Sequence, residues 1–218
     1  MTSTSLVATL IGDVIGSRSV ADRPALHERL TRQLDLVNEQ LSPVEPLAIT
    51  VGDEFQGAFG TIGAAIDAAL RIRLGLLPLA DLRCGLAWGE VTILDAARRT
   101  QDGPAWWAAR EAIGAAKEAE TDRVTAAVRT VVAGAGPGPD AVNAAVAFRD
   151  LLLDDLDDRS RAIVAGLLEG RTKAEIAERV AISPSAVSQR AARHGLDLIA
   201  RAEARLAATD WRDRPSRP

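Results

Sequence analysis

The chain has 218 residues, of which 47% are hydrophobic and only 3% aromatic, and it contains no tyrosine. This length and composition allow one large domain or two small ones, with a core built mainly from Ala, Leu and Val. The one cysteine, Cys84, excludes an intramolecular disulfide and fits a reducing compartment. No apolar run approaches the roughly 20 residues that span a bilayer. The polar segment Met1 to Ser5 lacks the basic start of a signal peptide, so we expect a cytoplasmic protein without a membrane partner.

Charge is distributed unevenly along the chain. Residues 159–218 contain 12 Lys and Arg against 7 Asp and Glu, a net charge of +5. Because the whole chain carries −4, residues 1–158 carry −9. An acidic body with a basic tail is typical of a protein whose tail alone contacts a polyanion. Chance unevenness of surface charge is the alternative interpretation.

Two Gly-Asp pairs each follow a strand-like apolar run near the start of the chain. Gly12-Asp13 ends the first run, and Gly52-Asp53 ends the second and is followed by another extended segment, which predicts a β-hairpin. Strands that end in this way can place Asp13 and Asp53 side by side. Two carboxylates with Mg²⁺ are sufficient to hold a nucleoside polyphosphate. The alternative is that both Asp residues only shape turns.

The loop after Asp13 is a second candidate for phosphate contact. Gly16 and Ser17 offer backbone N–H groups, and Arg18 adds a fixed positive charge. An ordinary surface turn is equally compatible with these three residues.

The following elements alternate between helical and extended patterns. Capped helices with a periodic apolar stripe are predicted after Asp22, after Thr61 and from Pro104. Residues 82–93 predict two strands joined near Gly89, and residues 124–132 are strand-like. This order predicts an α/β fold, an α+β sandwich in which helices cover one face of an antiparallel sheet.

The segment Gly134 to Pro139 is the clearest linker in the chain. Strand-like patterns are absent beyond it. The sequence therefore predicts a first domain at 1–137, a linker and connecting helix at 138–158, and a small all-helical domain at 159–218.

The third segment has the spacing of a helix-turn-helix. Ala177, Ala181 and Val187 are four and six residues apart, with a capping box at Thr172 and a helix start at Ser183. The face of the second helix opposite Val187 carries side chains suited to base edges and phosphates, which predicts a double-stranded DNA partner; these are Ser185, Ser188, Gln189, Arg190 and Arg193. The alternative is a protein-binding helical bundle.

Four further aromatic and imidazole side chains were considered as site residues. Trp106 and Trp107 are adjacent, and adjacent side chains point about 100° apart on a helix. One of them is therefore expected in the core or in a dimer interface, while the other could stack on a base. His27 and His194 have no Cys or His cluster near them in the sequence, so we do not expect a zinc site.

Taken together, the N-terminal motifs resemble the class III nucleotidyl cyclases and the related diguanylate cyclase (GGDEF-type) fold, which has a ferredoxin-like antiparallel sheet. The resemblance implies that Asp13 and Asp53 hold Mg²⁺. It also implies that Gly52 and Glu54, in a segment similar to GGDEF, belong to the nucleotide site, and that Arg110 stabilises the transition state. From about residue 6 to 207 the chain resembles the SatD family, through three segments and the helix-turn-helix in the expected order: residues 11–18, 50–57 and 102–105.

Two positions depart from the cyclase pattern. Ile49 stands where cyclases carry a base-selecting Lys, and Trp106 stands where they carry an Asn that supports the transition state. Losing a preorganised donor typically costs on the order of 100-fold in rate. The departures argue against cyclisation but leave the binding of a metal–triphosphate or a cyclic dinucleotide intact.

The leading hypothesis from the sequence is a homodimeric, DNA-binding transcriptional regulator with a degenerate cyclase-like domain that senses a nucleotide and Mg²⁺. The alternative is a metal-dependent nucleotidyl cyclase or nucleotide hydrolase that uses the C-terminal helices for targeting. A third hypothesis is a scaffold whose pocket binds nothing.

Overall fold

The structure is a computed structural model that describes residues 3–95, 97, 100–134 and 138–212. Residues 135–137 of the predicted linker lie outside this described part. The strands are β1 Ser3–Val14, β2 Glu45–Val51, β3 Glu54–Phe59, β4 Leu82–Asp95, β5 Thr100–Asp102 and β6 Thr130–Gly134. The helices are α1 Arg23–Leu41, α2 Ile62–Leu76, α3 Pro104–Ala119, α4 Pro139–Asp154, α5 Asp158–Leu168, α6 Lys173–Val180, α7 Pro184–His194 and α8 Leu196–Ala207.

The strands form one mixed sheet with β1 near its centre. The order is β2-β3-β1-β4-β5, and β6 pairs in parallel with the first half of β4. β1 runs antiparallel to both of its neighbours, so that Asp13 lies opposite Glu54 of β3 and opposite Arg83 of β4. The end of β1 and the β2–β3 hairpin therefore meet at the same edge of the sheet.

Two details of the predicted strands are wrong. Residues 82–93 do not turn at Gly89, because Gly89 pairs with Val7 within one continuous strand. A glycine inside a strand pattern does not require a turn, and it also permits close approach of another backbone. The last strand begins at Thr130, whereas residues 124–127 form turns.

Helices cover both faces of the sheet, and the prediction of a single covered face is wrong. Ala8 and Leu10 of β1 pack in the cluster with α1 and α2, whereas Val7 and Ile11 face α3 on the other side. The hydroxyl of buried Thr9 donates to the carbonyl of Ala105, 2.9 Å away, and so links β1 to α3. A strand buried on both faces has a continuous apolar run rather than an alternating one, which is the pattern of residues 6–11.

The C-terminal helices share their core with the rest of the chain. Leu70 and Leu74 of α2 belong to the same buried cluster as Ile163, Ile176 and Val187. The elements after β6 are the helices α4 to α8, and among the described residues an all-helical domain separate from the sheet is not evident. The boundaries at residues 137 and 158 stay a prediction.

A network of buried charges joins these elements. Asp150 of α4 is fully buried and accepts hydrogen bonds from the backbone N–H groups of Arg129 and Thr130, at 2.9 and 2.8 Å. It also accepts from Arg149, and Arg149 in turn contacts Glu203 of α8 at 3.2 Å.

Arg73 of α2 completes the network. It is almost fully buried and donates to Asp81, Asp150 and Asp154. Burial alone would lower the pKa of Arg73, but its carboxylate partners raise it above its ordinary value, so the guanidinium stays charged. Because these ions are desolvated, the removal of one member leaves an uncompensated buried charge.

The Asp150→Ala variant should lose about 3–5 kcal/mol of unfolding free energy, the usual cost of breaking a buried ion pair by removing one partner. Urea unfolding followed by circular dichroism measures this loss. The matched control is Asp155→Ala at the exposed C-terminus of α4, which should change stability by no more than about 0.5 kcal/mol. Equal effects of the two substitutions would contradict the structural role of the network.

Candidate functional site

The β2–β3 hairpin presents Asp53 at its tip, as the sequence predicts. Gly52 has φ of 65°, a left-handed conformation that glycine adopts without strain. The hydroxyl of Thr50 donates to the backbone carbonyl of Glu54 at 3.2 Å and closes the turn. The hairpin thus holds the Asp53 carboxylate at a fixed place beside the end of β1.

The carboxylates of Asp13, Asp53 and Glu54 lie close enough to influence one another. Burial raises the pKa of Asp13 above its ordinary value, Arg83 lowers it, and the negative charges of Asp53 and Glu54 raise it further. The guanidinium of Arg83 is 3.5 Å from the Asp13 carboxylate and 3.4 Å from Glu120. A partly buried carboxylate with acidic neighbours is stabilised by an additional cation.

Glu54 and Arg110 form a two-point ion pair. The guanidinium of Arg110 on α3 contacts both Glu54 carboxylate oxygens, at 2.5 and 2.9 Å. This hydrogen bonding holds the pKa of Glu54 below its ordinary value. Arg110, which the cyclase resemblance assigns to the transition state, is therefore held by Glu54 at the edge of the site in this structure.

The loop after β1 forms one wall of a cavity of about 310 Å³. Gly16 has φ of 65°, and Ser17 begins a short 3-10 turn. The cavity brings Ser17 together with Gly52 and Asp53, but Arg18 is not part of its lining.

Sequence reasoning missed Arg23 and considered His27 only as a zinc ligand. Both residues line this cavity from the first turns of α1. The signal was available, because α1 starts directly after the loop that contains Ser17. Arg23, rather than Arg18, supplies the positive charge of this cavity.

A second cavity of about 530 Å³ lies between β2, β3 and α3, and Arg110 belongs to its lining. Trp106 is partly buried against both clusters on the α3 face and donates to Gln101 at 3.3 Å. Trp107 is 58% exposed and donates to Asp102 at 2.8 Å. The two rings thus differ as helix geometry predicts: Trp106 packs in the core, and Trp107 leaves an aromatic surface at the cavity.

The donor set suits a cation that arrives with a phosphate ligand. Mg²⁺ is usually held by one or two carboxylates together with substrate phosphates and water. Asp13 and Asp53 supply that number. Within the described part of the chain, no three His, Cys, Asp or Glu side chains form a group that could hold a metal by themselves.

Comparison with known proteins identifies the family. The model of the SatD family matches residues 7–210. The chain belongs to the SatD family. No curated protein matches this SatD-family chain significantly.

Among solved structures, this SatD-family chain is similar to nucleotidyl cyclase domains. Two structures of a bacterial light-regulated adenylyl cyclase match with 17% and 16% identity and TM-scores of 0.45 and 0.47. The matches cover 54% and 65% of this chain and 42% and 81% of those chains. A class III adenylyl cyclase-like ATP-binding protein from Pseudomonas aeruginosa matches with 14% identity and a TM-score of 0.43, covering 52% of this chain and 32% of that one. This SatD-family chain thus spans less than half the length of the first of these proteins.

The prediction of a DNA-binding transcriptional regulator is wrong. The family that the chain matches is the SatD family. Among the described residues, the C-terminal helices share a buried cluster with α2, and a separate helix-turn-helix domain is not evident. Helices α6 and α7 form with the expected caps, and Ala181 between them has φ of 54°. Caps and spacing describe how two helices join, however, and not what their exposed face binds.

The side chains assigned to DNA contact all lie on α7, and several are engaged within the chain. Arg190 donates to Asp157 and to the Ser160 hydroxyl. Ser188 donates to the carbonyl of Pro184 at 3.1 Å, and the hydroxyl of Ser185 lies 3.0 Å from that of Ser183. Because the prediction of a DNA-binding regulator is wrong, the DNA-contact role predicted for this set has no support: Ser185, Ser188, Gln189, Arg190 and Arg193.

None of the helices among the described residues combines the length and the apolar character that crossing a bilayer requires.

Asp13→Asn should stabilise the protein at neutral pH. Because the pKa of Asp13 is raised in the folded state, its contribution to stability is complete below the unfolded pKa of about 3.9 and is lost as pH rises through the folded pKa. Asn does not ionise, so the variant should exceed the wild type in unfolding free energy at pH 7. The difference should shrink as pH falls towards 4.

Urea midpoints at pH 4 to 7, in buffer without divalent cations, measure this difference. Asp35→Asn, an exposed position on α1, should show no such pH-dependent gain. A variant that is less stable than the wild type at pH 7 would mean that the Arg83 ion pair outweighs the burial of Asp13.

Proposed function

We propose that this SatD-family protein binds a nucleoside triphosphate with a divalent cation and processes it, as a metal-dependent nucleotidyl cyclase or nucleotide hydrolase. One observation supports the proposal: Asp53 lines a cavity together with Ser17 and Arg23. Asp13, at the end of β1, lies outside that lining but close enough for the charge of Asp53 to raise its pKa. This combination of carboxylates, a hydroxyl and a guanidinium matches the chemistry of a metal–phosphate complex.

Residues of the cavity, together with Asp13 at the end of β1, would bind the metal–phosphate complex. Asp13 and Asp53 would hold the cation, whereas the Ser17 hydroxyl and the Arg23 guanidinium would contact phosphate oxygens. When bound, the cation supplies charge neutralisation and Lewis-acid polarisation of the phosphoryl group. His27 lines the same cavity and would offer an imidazole N–H to a phosphate oxygen.

The nucleoside would lie towards the second cavity. Trp107 offers an exposed ring for stacking on a base, and Thr50 and Gln56 offer polar groups beside it. Ile49 packs against the core cluster that contains α1 and α2 and is not part of the lining of this cavity, so it would take no part in base selection. We also propose a homodimer, in which a second copy would cover the exposed side of this cavity.

Turnover tests the proposal directly. The wild type is incubated with ATP and with GTP, with and without Mg²⁺, and the products are separated by chromatography. A cyclic monophosphate with pyrophosphate identifies a cyclase, whereas a di- or monophosphate with inorganic phosphate identifies a hydrolase.

The Asp53→Asn substitution should lower Mg²⁺-dependent turnover by about 100-fold or more, the order expected when one preorganised electrostatic group is removed. Asp35→Asn on α1 is the matched control and should keep wild-type turnover. No product from either triphosphate, or equal turnover in Asp53→Asn and the wild type, would refute the proposed function.

A further inference from the structure

A third cavity, lined by polar and charged side chains, lies away from the hairpin, between α1, α2 and α5. It has a volume of about 260 Å³, and four guanidinium groups line it: Arg29, Arg71, Arg161 and Arg179. We call it the arginine cleft. It shares no lining residue with the cavity at Asp53.

Backbone carbonyls hold three of these guanidinium groups in place. Arg29 donates to the carbonyl of Gly75 at 2.8 Å, and Arg71 donates to that of Leu168 at 3.1 Å. Arg161 donates to two carbonyls near the end of α4, both at 3.0 Å. Carbonyl acceptors fix the orientation of a guanidinium but do not cancel its charge, so the positive charge of the cleft is preorganised.

The acidic side chains of the cleft do not balance the arginines. Asp158 and Glu169 are the only acids among its lining residues. Asp158 pairs with Arg161 at 3.1 Å, whereas Glu169 is shared between Arg179 and Arg171. Arg71 pairs with Asp67 on its own helix. Among the residues that the structure describes, Arg29 contacts no carboxylate.

Apart from the amides of Gln33 and Gln40, the remaining wall of the cleft is mainly apolar. It includes side chains from α1, α2, the loop after α2 and α5: Leu36, Leu74, Leu77, Pro78, Ala165 and Leu168. A ligand that suits both walls has a strongly anionic end and a carbon-rich end. A guanidinium binds phosphate through paired N–H groups, and the volume admits a small metabolite rather than a polymer.

We propose that the arginine cleft is a second binding site, for a small organic phosphate with at least two negative charges. Arg29 and Arg179 contact the phosphate, and Arg71 and Arg161 set the positive field around it. The site does not depend on the function proposed for Asp13 and Asp53.

Inorganic pyrophosphate serves as the probe for the phosphate end. Its affinity is measured by isothermal titration calorimetry with chelator present and at constant ionic strength, so that neither Mg²⁺ nor general screening contributes. Arg29→Gln should weaken binding by about tenfold or more, as expected for the loss of one charge-assisted donor group. Arg179→Gln should weaken it in the same direction.

Two control variants locate the bound probe. Arg32 lies on the same helix as Arg29 but outside the cleft, where it pairs with Glu28 at 2.6 Å, and Arg32→Gln should leave the affinity unchanged. Arg23→Gln alters the cavity at Asp53 and should also leave it unchanged. The Arg29 side chain is exposed and makes one hydrogen bond to the described part of the chain, so its variant should keep the wild-type thermal midpoint.

Three results would overturn the proposal. They are no detectable binding of pyrophosphate by the wild type at millimolar concentration, equal losses in Arg29→Gln and Arg32→Gln, and a loss confined to Arg23→Gln. Failure of nucleotide turnover with retained pyrophosphate binding would refute only the proposed function. Loss of pyrophosphate binding in Arg29→Gln with normal turnover would support the arginine cleft alone.

Discussion

The buried carboxylate of Asp150 is the constraint on which most of the tertiary structure depends. It accepts two backbone N–H groups at the start of β6 and contacts the guanidinium groups of Arg73 and Arg149. Through these contacts α2, α4 and the sheet are fixed to one another, and Glu203 extends the same network to α8. A buried ion pair fixes the relative positions of the elements that carry it, because each charge is costly to bury without its partners. The C-terminal helices are therefore packed into the same body as the sheet and do not form a separate domain.

The sheet fixes the positions of the carboxylates that a metal–phosphate site requires. β1 is buried on both faces, and its register with β3 and β4 is fixed by apolar side chains on either side. Asp13 lies near the end of β1, after the apolar run, and its side chain is partly exposed to solvent. The position of Asp13 thus follows from the packing of β1, whereas that of Asp53 follows from the turn at Gly52. Two independent local rules bring the carboxylates to one place.

Much of this could be predicted from the sequence, because the relevant signals are local. Gly52 in a left-handed turn, the capping box at Thr172 and the helix start at Pro104 each depend on a few neighbouring residues. The features that were missed depend on residues far apart. Arg149 and Glu203 look like surface charges on amphipathic helices, yet they are 54 positions apart in the chain and meet inside the protein. The contribution of Arg23 and the engagement of Arg190 with Asp157 likewise depend on packing between elements. The error about DNA binding has the same origin, since helix caps do not reveal what lies against the outer face.

The buried thiol of Cys84 can be used to measure local opening of the sheet. It lies opposite Gly12 of β1 on one side and Thr130 of β6 on the other, and its side chain is fully buried. Burial raises the pKa of its thiol, so the native protein holds this sulfur protonated as well as inaccessible. Alkylating reagents attack the thiolate, so they modify Cys84 only after the neighbouring strands have separated. Because the chain has a single cysteine, the rate of its alkylation measures how often β1, the strand that carries Asp13, separates from β4. No additional probe needs to be introduced.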